Sequence, residues 1–405
     1  MAEQTLFEKT LRSINSIFNT LGLFLEPSKL NRWQIIKYRC LFVFNYIWLN
    51  SDMPGAVYWF IDGIQNQNDI RELAQTAPCL MLCGVSNIKT LFLIIYNSLI
   101  DNIVHELREL NSAEEQNVEE KKRIEKEERR FLNFVLKSLN VFNIGLVISF
   151  SFMPLIIIAI KYMETKELEL ALPFFVIYPF DAFNMKYWPY VYLKQIWSEC
   201  IVLLQICAAD YFYYFCCTYI RIQFRLLSYE FENLFPKEYY KRSDDHSYIR
   251  GKLVKLIKRH QRLISSTNVL EKIYSKSILL NFLSSSIIIC LTGFNATIMN
   301  DAVSACSFVT FLFMSILQIF YLCLFGDMLM RASINFGDAV YSCLWYKAGR
   351  SIAKDLLLVH LRTQRPCKLT AYGFSDANLR SFSKIISTSW SYFALLNTMY
   401  SENQV

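Results

Sequence analysis

The sequence predicts an all-α membrane protein with seven transmembrane helices, a cytosolic N-terminus and an extracellular C-terminus. Three observations lead to this fold class. Of the 405 residues, 54% are hydrophobic and 19% are charged, and the mean hydropathy is +0.24, which is typical of integral membrane proteins. The apolar residues are collected in long stretches. Lysine and arginine concentrate in alternate segments between those stretches, which also disfavours a nucleic-acid-binding surface.

The chain begins with a pattern that predicts an amphipathic helix. Phe7, Leu11, Ile14, Phe18 and Leu21 recur at spacings of 4, 3, 4 and 3, with polar residues between them. Such a helix lies either on the membrane surface or against another part of the protein. The spacing fits both positions equally well.

Seven stretches are long and apolar enough for a membrane-spanning helix, which needs roughly 20 residues. The predicted spans are 36–61, 78–99, 132–160, 195–219, 277–299, 302–325 and 382–400. The first is the weakest because it contains Asp52, Pro54 and Gly55, and a kink there is tolerable if neighbouring helices satisfy the freed backbone groups.

The basic residues predict the orientation of these spans. If the N-terminus is cytosolic, the inside segments hold 4, 7, 13 and 8 lysines and arginines, 32 of the 42 in the chain. The outside segments hold 1, 4, 0 and 0. Positive residues favour the cytosolic side, so the C-terminus is expected outside, opposite to a G-protein-coupled receptor. The sequon at Asn295 lies at a predicted outer end and agrees.

Two cytosolic segments are expected to be helical. Segment 111–130 is nearly all charged and predicts a solvated helix. Segment 221–276 is expected to extend the helices on either side of it, with His260 as a structural residue.

A third cytosolic segment carries the spacing of a packed helix seam, 4, 3, 4 and 3, formed by Trp345, Gly349, Ile352, Leu356 and Val359. Packing within one subunit and contact between subunits both fit this pattern. Pro366 is expected to end the helix.

The sequence predicts neither an enzyme nor a metal or cofactor site. The metalloprotease, serine hydrolase, Walker A and dinucleotide-binding motifs are missing. Twelve cysteines are present without a C-x-x-C pair, and most lie in apolar stretches, where cysteine behaves as a small hydrophobic residue.

Four ionisable residues, Asp52, Lys89, Glu199 and Asp210, fall inside predicted spans, where such groups often serve function. They are scattered over three spans, and no internal repeat accompanies them, which disfavours a secondary transporter. Lys89 is expected to extend toward the cytosolic interface. Asp210 is expected to accept hydrogen bonds from hydroxyl groups of the aromatic run that follows it.

The outer halves of spans two, three, four and six are rich in aromatic, sulfur-containing and small residues. This composition fits either plain packing or an apolar ligand pocket with few polar groups, suited to small volatile molecules. The candidate pocket residues are Cys79, Leu80, Cys83, Phe150, Phe152, Met153, Trp197, Cys200, Phe308, Phe311 and Met314.

The roughly eighty C-terminal residues contain a set of residues in a specific order and spacing: Cys323, Gly326, Ser333, Ala339, Tyr341, Trp345, Leu356, Gln364, Pro366, Thr370, Ala371, Phe374, Phe382, Ser391, Tyr392 and Phe393. With these residues, this region resembles the signature region of insect odorant receptors. The rest of the chain resembles this family mainly in length and topology.

The resemblance implies a ligand-gated, non-selective cation channel in the plasma membrane of olfactory neurons. In this family four subunits surround one pore, the seventh span lines the pore, and cytosolic helices anchor the subunits. The seam of Trp345, Ile352, Leu356 and Val359 would then be the subunit anchor. The expected partners are a co-receptor subunit in a heterotetramer, a small volatile ligand and the lipid bilayer.

The pore residues implied by the resemblance lie in the last span. Ser391 belongs to the first part of the family pattern, Leu395 falls at the aliphatic gate, and Thr398 and Met399 follow. Thr398 departs from the co-receptor pattern, which has Gln, and the long co-receptor insertion in the second cytosolic loop is missing. Both departures indicate a ligand-tuning subunit.

The expected organisation has three parts. Residues 1–325 form the amphipathic helix and spans one to six with the pocket, 326–381 form the cytosolic anchor, and 382–405 form the pore-lining span and a short tail. Two alternatives remain open: a related gustatory-type receptor channel, and a seven-helix receptor that signals through a cytosolic transducer.

Overall fold

The protein is a bundle of long helices, seen here in a computed structural model that describes residues 6–66, 70–112, 118–235, 245–299 and 301–402. Within these ranges every regular element is helical. The α-helices are α1 (Leu6–Leu21), α2 (Arg32–Asn50), α3 (Met53–Gln65), α4 (Ile70–Ile95), α5 (Asn97–Ser112), α6 (Val118–Thr165), α7 (Trp188–Glu232), α8 (Asp245–Ile298), α9 (Ala302–Ser342), α10 (Arg350–Thr363) and α11 (Leu379–Glu402).

Helix α7 forms the centre of the bundle. It contacts α1, α4, α6, α8 and α9, and its aromatic run is almost wholly buried. Tyr214 stacks on Phe325 of α9, and Tyr213 makes an edge contact with Tyr274 of α8. A helix that is apolar on all sides is stable only when other helices surround it, which explains this central position.

Five helices, α4, α6, α7, α8 and α9, are long and apolar enough to cross a membrane by length and composition. The first and seventh predicted spans do not meet that measure. The first is divided at Ser51 and Asp52 into α2 and α3, where Pro54 lies in the first turn of α3. The break lies beside Pro54 and Gly55, where the sequence allowed a kink. The seventh corresponds to α11, whose residues are polar along one side.

The long helices continue from the apolar core into the charged segments. Segment 111–130, where it is described, is the start of α6, and α8 joins the charged part of segment 221–276 to the fifth predicted span. The α6 segment is less solvated than expected, because Glu128 is buried and paired with Arg221 and Arg225 of α7. This ion-pair cluster holds the N-terminal part of α6 and the C-terminal part of α7 together.

The amphipathic helix α1 lies against protein and not against an open surface. Phe7, Leu11, Ile14, Phe18 and Leu21 are all buried. Phe7 packs on Phe215, and Phe18 makes an edge contact with Phe212, both on α7. The apolar stripe is therefore covered by the chain itself, which selects one of the two positions that the spacing had left open.

Arg108 of α5 fixes this helix from the polar side. Its guanidinium donates to Glu8 over 2.6 Å and to Glu26 over 2.7 Å. Partial burial alone would raise the pKa of Glu26, but hydrogen bonds and charge interactions with Arg108 and Lys29 lower it below its ordinary value. Glu26 therefore carries its charge, and the clamp is ionic.

His260 is a buried structural residue, as the sequence predicted. Its ring packs 4.6 Å from the ring of Phe336 and 6.3 Å from that of Phe224, measured between centroids. Burial, and then the positive charge of Arg362, lower the pKa of His260 to about 4. The imidazole is thus neutral at physiological pH and packs as an aromatic ring.

The predicted seam of α10 is used within the chain. Ile352, Leu356 and Val359 are buried, and α10 packs on α9. Trp345 is 42% exposed. The opposite side of α10 presents exposed Leu357, Leu358 and Leu361. The spacing identified the apolar stripe but could not distinguish an internal partner from a second subunit.

Two expectations about single polar residues are wrong. Lys89 does not extend to the interface, because its ammonium donates to Asp210 over 2.8 Å and the side chain is buried. Asp210 thus binds Lys89 and also the amide of Gln318, and not a row of tyrosine hydroxyls.

The sequon at Asn295 does not inform the orientation. Asn295 is fully buried and donates a hydrogen bond to the carbonyl of Ala74.

Candidate functional site

An apolar cavity lies among α3, α4, α6, α7 and α9, with a cap from the segment between α6 and α7. It contains about 1040 Å³ of space not filled by protein atoms, part of it open to the outside. Its wall is mainly aliphatic, aromatic and sulfur-containing. Phe150 of this wall makes edge contacts with Phe308 and Phe311. Such a wall binds ligands through buried area and shape.

Seven of the candidate pocket residues line this cavity, namely Cys79, Leu80, Cys83, Phe150, Met153, Phe308 and Phe311. Four do not. Phe152 and Trp197 are 55% and 43% exposed because they lie on outward faces of their helices. Cys200 is half-buried, and Met314 is buried in the main core instead. Composition identified the correct segments, but it does not give the rotation of a helix that is apolar all round.

Loop 173–176 covers the cavity and was not foreseen from the sequence. Gln195 holds this loop with both ends of its amide, accepting from Phe174 N over 3.0 Å and donating to Phe174 O over 3.1 Å. Phe175 stacks on Trp59 of α3 with centroids 5.0 Å apart. The loop therefore joins α3 to α7 across the mouth of the cavity.

Gly55 allows the loop to approach α3. A Cβ atom at this position would lie 2.3 Å from the carbonyl oxygen of Ile177, a distance that no real side chain adopts. The amide of Ile177 in turn donates to the carbonyl of Gly55 over 3.3 Å. The glycine that seemed only to weaken the first span thus serves a close backbone contact.

Replacing Gly55 with valine is expected to displace loop 173–176 from the cavity. Overpacking of this kind costs about 1–3 kcal/mol, so amide hydrogen exchange in the loop should accelerate about fivefold or more. Exchange measured by mass spectrometry tests this. Gly145→Val is the matched control, because no atom lies within 4 Å of a Cβ placed there. Equal exchange in both variants would contradict the proposed contact.

Asp52 organises the polar side of the cavity. Its carboxylate accepts hydrogen bonds from Tyr178 over 2.9 Å, Lys194 over 2.5 Å and Ser198 over 3.2 Å. These contacts link the break between α2 and α3 to α7 and to the segment after loop 173–176. The sequence signal was present, since Asp52 is an acidic residue in an apolar stretch, but its partners are far away in the chain.

Glu199 is the other acidic residue of the cavity wall. It is 9% exposed, and its Oε2 atom is buried without a hydrogen-bond partner. The sequence singled out Glu199 as an ionisable residue in a span but assigned it no role.

The predicted pore residues lie on an unpacked side of α11. Leu395 is 58% exposed, and Ser391, Thr398 and Met399 are exposed as well. The opposite side packs on α8 and α9, where Ile385 and Ser389 are buried and Tyr400 makes an edge contact with Phe294. The exposed side contains the polar stripe that begins at Ser387 and continues through Ser391, Leu395, Thr398 and Glu402.

Comparison with known proteins supplies the family. The model of the 7tm odorant receptor family matches residues 69–390. Odorant receptor 67c of Drosophila melanogaster is 26% identical over 365 residues, covering 88% of this chain and 87% of the relative. Odorant receptor 13a of the same species is 28% identical over 250 residues, covering 57% of this chain and 58% of the relative.

A solved structure has the same fold. The insect olfactory receptor OR5 from Machilis hrabei, in complex with eugenol, superposes with a TM-score of 0.81 at 16% identity, covering 97% of this chain and 98% of that one. The family match extends well beyond the C-terminal region in which the sequence itself showed the resemblance. The chain belongs to the insect odorant receptor family, whose members are ligand-gated cation channels and not enzymes.

Proposed function

We propose that this chain is a ligand-tuning subunit of a non-selective cation channel that opens when a small volatile molecule binds in the cavity under loop 173–176. The observation that supports this most directly is the apolar cavity that α3, α4, α6, α7 and α9 form under loop 173–176. The break at Asp52 and loop 173–176 both lie beside the proposed ligand site. The cavity, and not the cytosolic face, is therefore the proposed sensor.

The wall chemistry suits a volatile ligand. Burial of about 250 Å² of apolar ligand surface contributes about 6 kcal/mol, from which the loss of ligand freedom is subtracted. Phe150, Phe308 and Phe311 supply flat, polarisable faces for such a molecule. The few polar groups would then decide among ligands of similar size.

The pore is proposed to lie along the exposed side of α11 in a tetramer. In a single chain this side leaves Leu395, Trp390 and Met399 exposed to more than half of their surface. Four copies around an axis would bring the four Leu395 side chains together, and a leucine ring closes a pore by excluding water. The more polar residues on either side of the Leu395 ring would keep the rest of the pore hydrated.

The proposed orientation places the N-terminus in the cytosol and the C-terminus outside, with seven spans in the plasma membrane of an olfactory neuron. Its support is the distribution of lysine and arginine. The subunit anchor is proposed to be the cytosolic region around α10, with its exposed side of Leu357, Leu358 and Leu361 as the contact surface. The seam residues Ile352, Leu356 and Val359 would support that surface from inside. The co-receptor is the proposed partner in a heterotetramer.

Recording of membrane current tests the proposed function. Cells that express this chain with a co-receptor should conduct cations when a panel of volatiles is applied. Phe311→Trp narrows the cavity and should raise the half-maximal concentration of the strongest ligands at least about fivefold, since overpacking in a filled site costs about 1 kcal/mol or more.

Phe313→Trp is the matched control, because Phe313 lies on the same helix but is 46% exposed and outside the cavity wall. Surface expression of each variant is measured in parallel. A wild-type complex that reaches the surface without any volatile-evoked current would overturn the proposal, and so would equal ligand responses in the two variants.

A further inference from the structure

One carboxyl group of the cavity wall has unused hydrogen-bonding capacity. Glu199 lies near the outer end of α7, lines the cavity and is 9% exposed. Its Oε2 atom has no partner. Buried polar groups in folded proteins are almost always hydrogen-bonded, so an exception beside a cavity indicates a place for a ligand group.

The other strongly polar groups of the wall are engaged. Asp52 accepts from three donors, one of which is Ser198. Both ends of the Gln195 amide bind loop 173–176, and Gln75 donates to the sulfur of Met299. Within the part of the chain that the structure describes, Glu199 Oε2 is the only buried nitrogen or oxygen of a wall side chain without a partner.

The charge around this carboxyl group favours a donor. The wall contains two acidic side chains, Asp52 and Glu199, and the nearby cation Lys194 is bound to Asp52. Glu199 of α7 lines the same cavity as Cys79 and Cys83 of α4.

We propose that Glu199 is the polar anchor of the cavity, and that the preferred ligands are small apolar molecules with one hydroxyl or amino group. The O–H or N–H group of the ligand donates to the Glu199 carboxyl. Its hydrocarbon part lies toward Phe150, Phe308 and Phe311. This inference rests on the proposed function, because it specifies the ligand class of the same cavity.

Isomeric ligands isolate the contribution of the donor. Hexan-1-ol and 1-methoxypentane contain the same atoms, as do 2-phenylethanol and benzyl methyl ether, but only the alcohols donate a hydrogen bond. Binding of each, and of hexylamine, is measured on the purified complex of this chain with its co-receptor in nanodiscs, through the rise of the thermal unfolding midpoint with ligand concentration.

The wild-type complex should bind each alcohol, and hexylamine, about tenfold or more tightly than the corresponding ether. Glu199→Met should reduce this preference to about twofold or less while leaving ether binding nearly unchanged. Glu199→Gln keeps an accepting oxygen, so it should retain the alcohol preference. Glu164→Met, at an exposed glutamate, is the control and should behave as wild type.

Equal binding of alcohols and ethers to the wild type would overturn the role of Glu199, as would a full preference in Glu199→Met or no alcohol binding at all. Current is recorded on the same complexes. Alcohol binding without any evoked current would contradict the proposed channel function only. Currents evoked equally by ethers and alcohols would contradict the Glu199 anchor only.

Discussion

Replacing Lys89 with methionine is expected to lower the free energy of unfolding by about 3–5 kcal/mol, one of the largest effects available to a single substitution in this chain. Lys89 is 3% exposed and Asp210 is 5% exposed. The ammonium donates to both carboxylate oxygens, over 2.8 and 3.1 Å. Without Lys89, Asp210 retains only Gln318 as a donor and stays in an apolar core. An uncompensated buried charge is what makes the loss so large.

The double variant Lys89→Met with Asp210→Asn should recover most of that loss, because it removes both charges together. The unfolding of purified protein by SDS in mixed micelles, followed by tryptophan fluorescence, measures the difference. Lys137→Met is the control, since Lys137 also lies in a predicted span but is exposed. Two outcomes would contradict this role of the buried pair. Lys89→Met could lower the free energy of unfolding no more than Lys137→Met does, or the double variant could be less stable than Lys89→Met alone.

Replacing Leu395 with serine is expected to raise the resting cation current at least about tenfold when the chain is expressed with a co-receptor. A ring that contains serine hydroxyls holds water more readily than a leucine ring, so the closed pore loses its dry barrier. A tenfold change in the ratio of open to closed channels corresponds to about 1.4 kcal/mol. Leu395 is 58% exposed and packs little within its own chain, so the fold itself should tolerate serine.

Two control variants separate the gate from the rest of α11. Leu395→Ile keeps an apolar side chain and should leave the pore closed at rest. Ala394→Ser adds the same hydroxyl at the neighbouring exposed position, which a helix turns about 100° away. Whole-cell recording before any ligand is applied gives the resting current. An unchanged resting current in Leu395→Ser, with normal surface expression, would show that the gate lies elsewhere.

Much of the candidate site was predictable in outline. The sequence identified the segments that form the cavity, because aromatic and sulfur-containing residues cluster there. It did not identify the inward faces of α6 and α7, since Phe150 and Phe152 have the same chemistry and differ only in direction. Loop 173–176 was missed because its contacts with Gly55 and Gln195 join residues distant in the chain.

Local pattern by itself determined that this protein is helical, that it belongs in a membrane, where most of its helices lie, and which stripes of them are apolar. These properties depend on residues a few positions apart, so they can be read from the amino-acid sequence alone. Only the tertiary structure decided what covers each stripe and what pairs each charge. The stripe of Phe7 in α1 and the seam of Ile352 in α10 found partners within the chain, and Lys89 paired with a residue 121 positions away. Packing and desolvation across the whole bundle determine the free energy of these tertiary contacts. The spacing of residues along the chain therefore does not specify which partners meet.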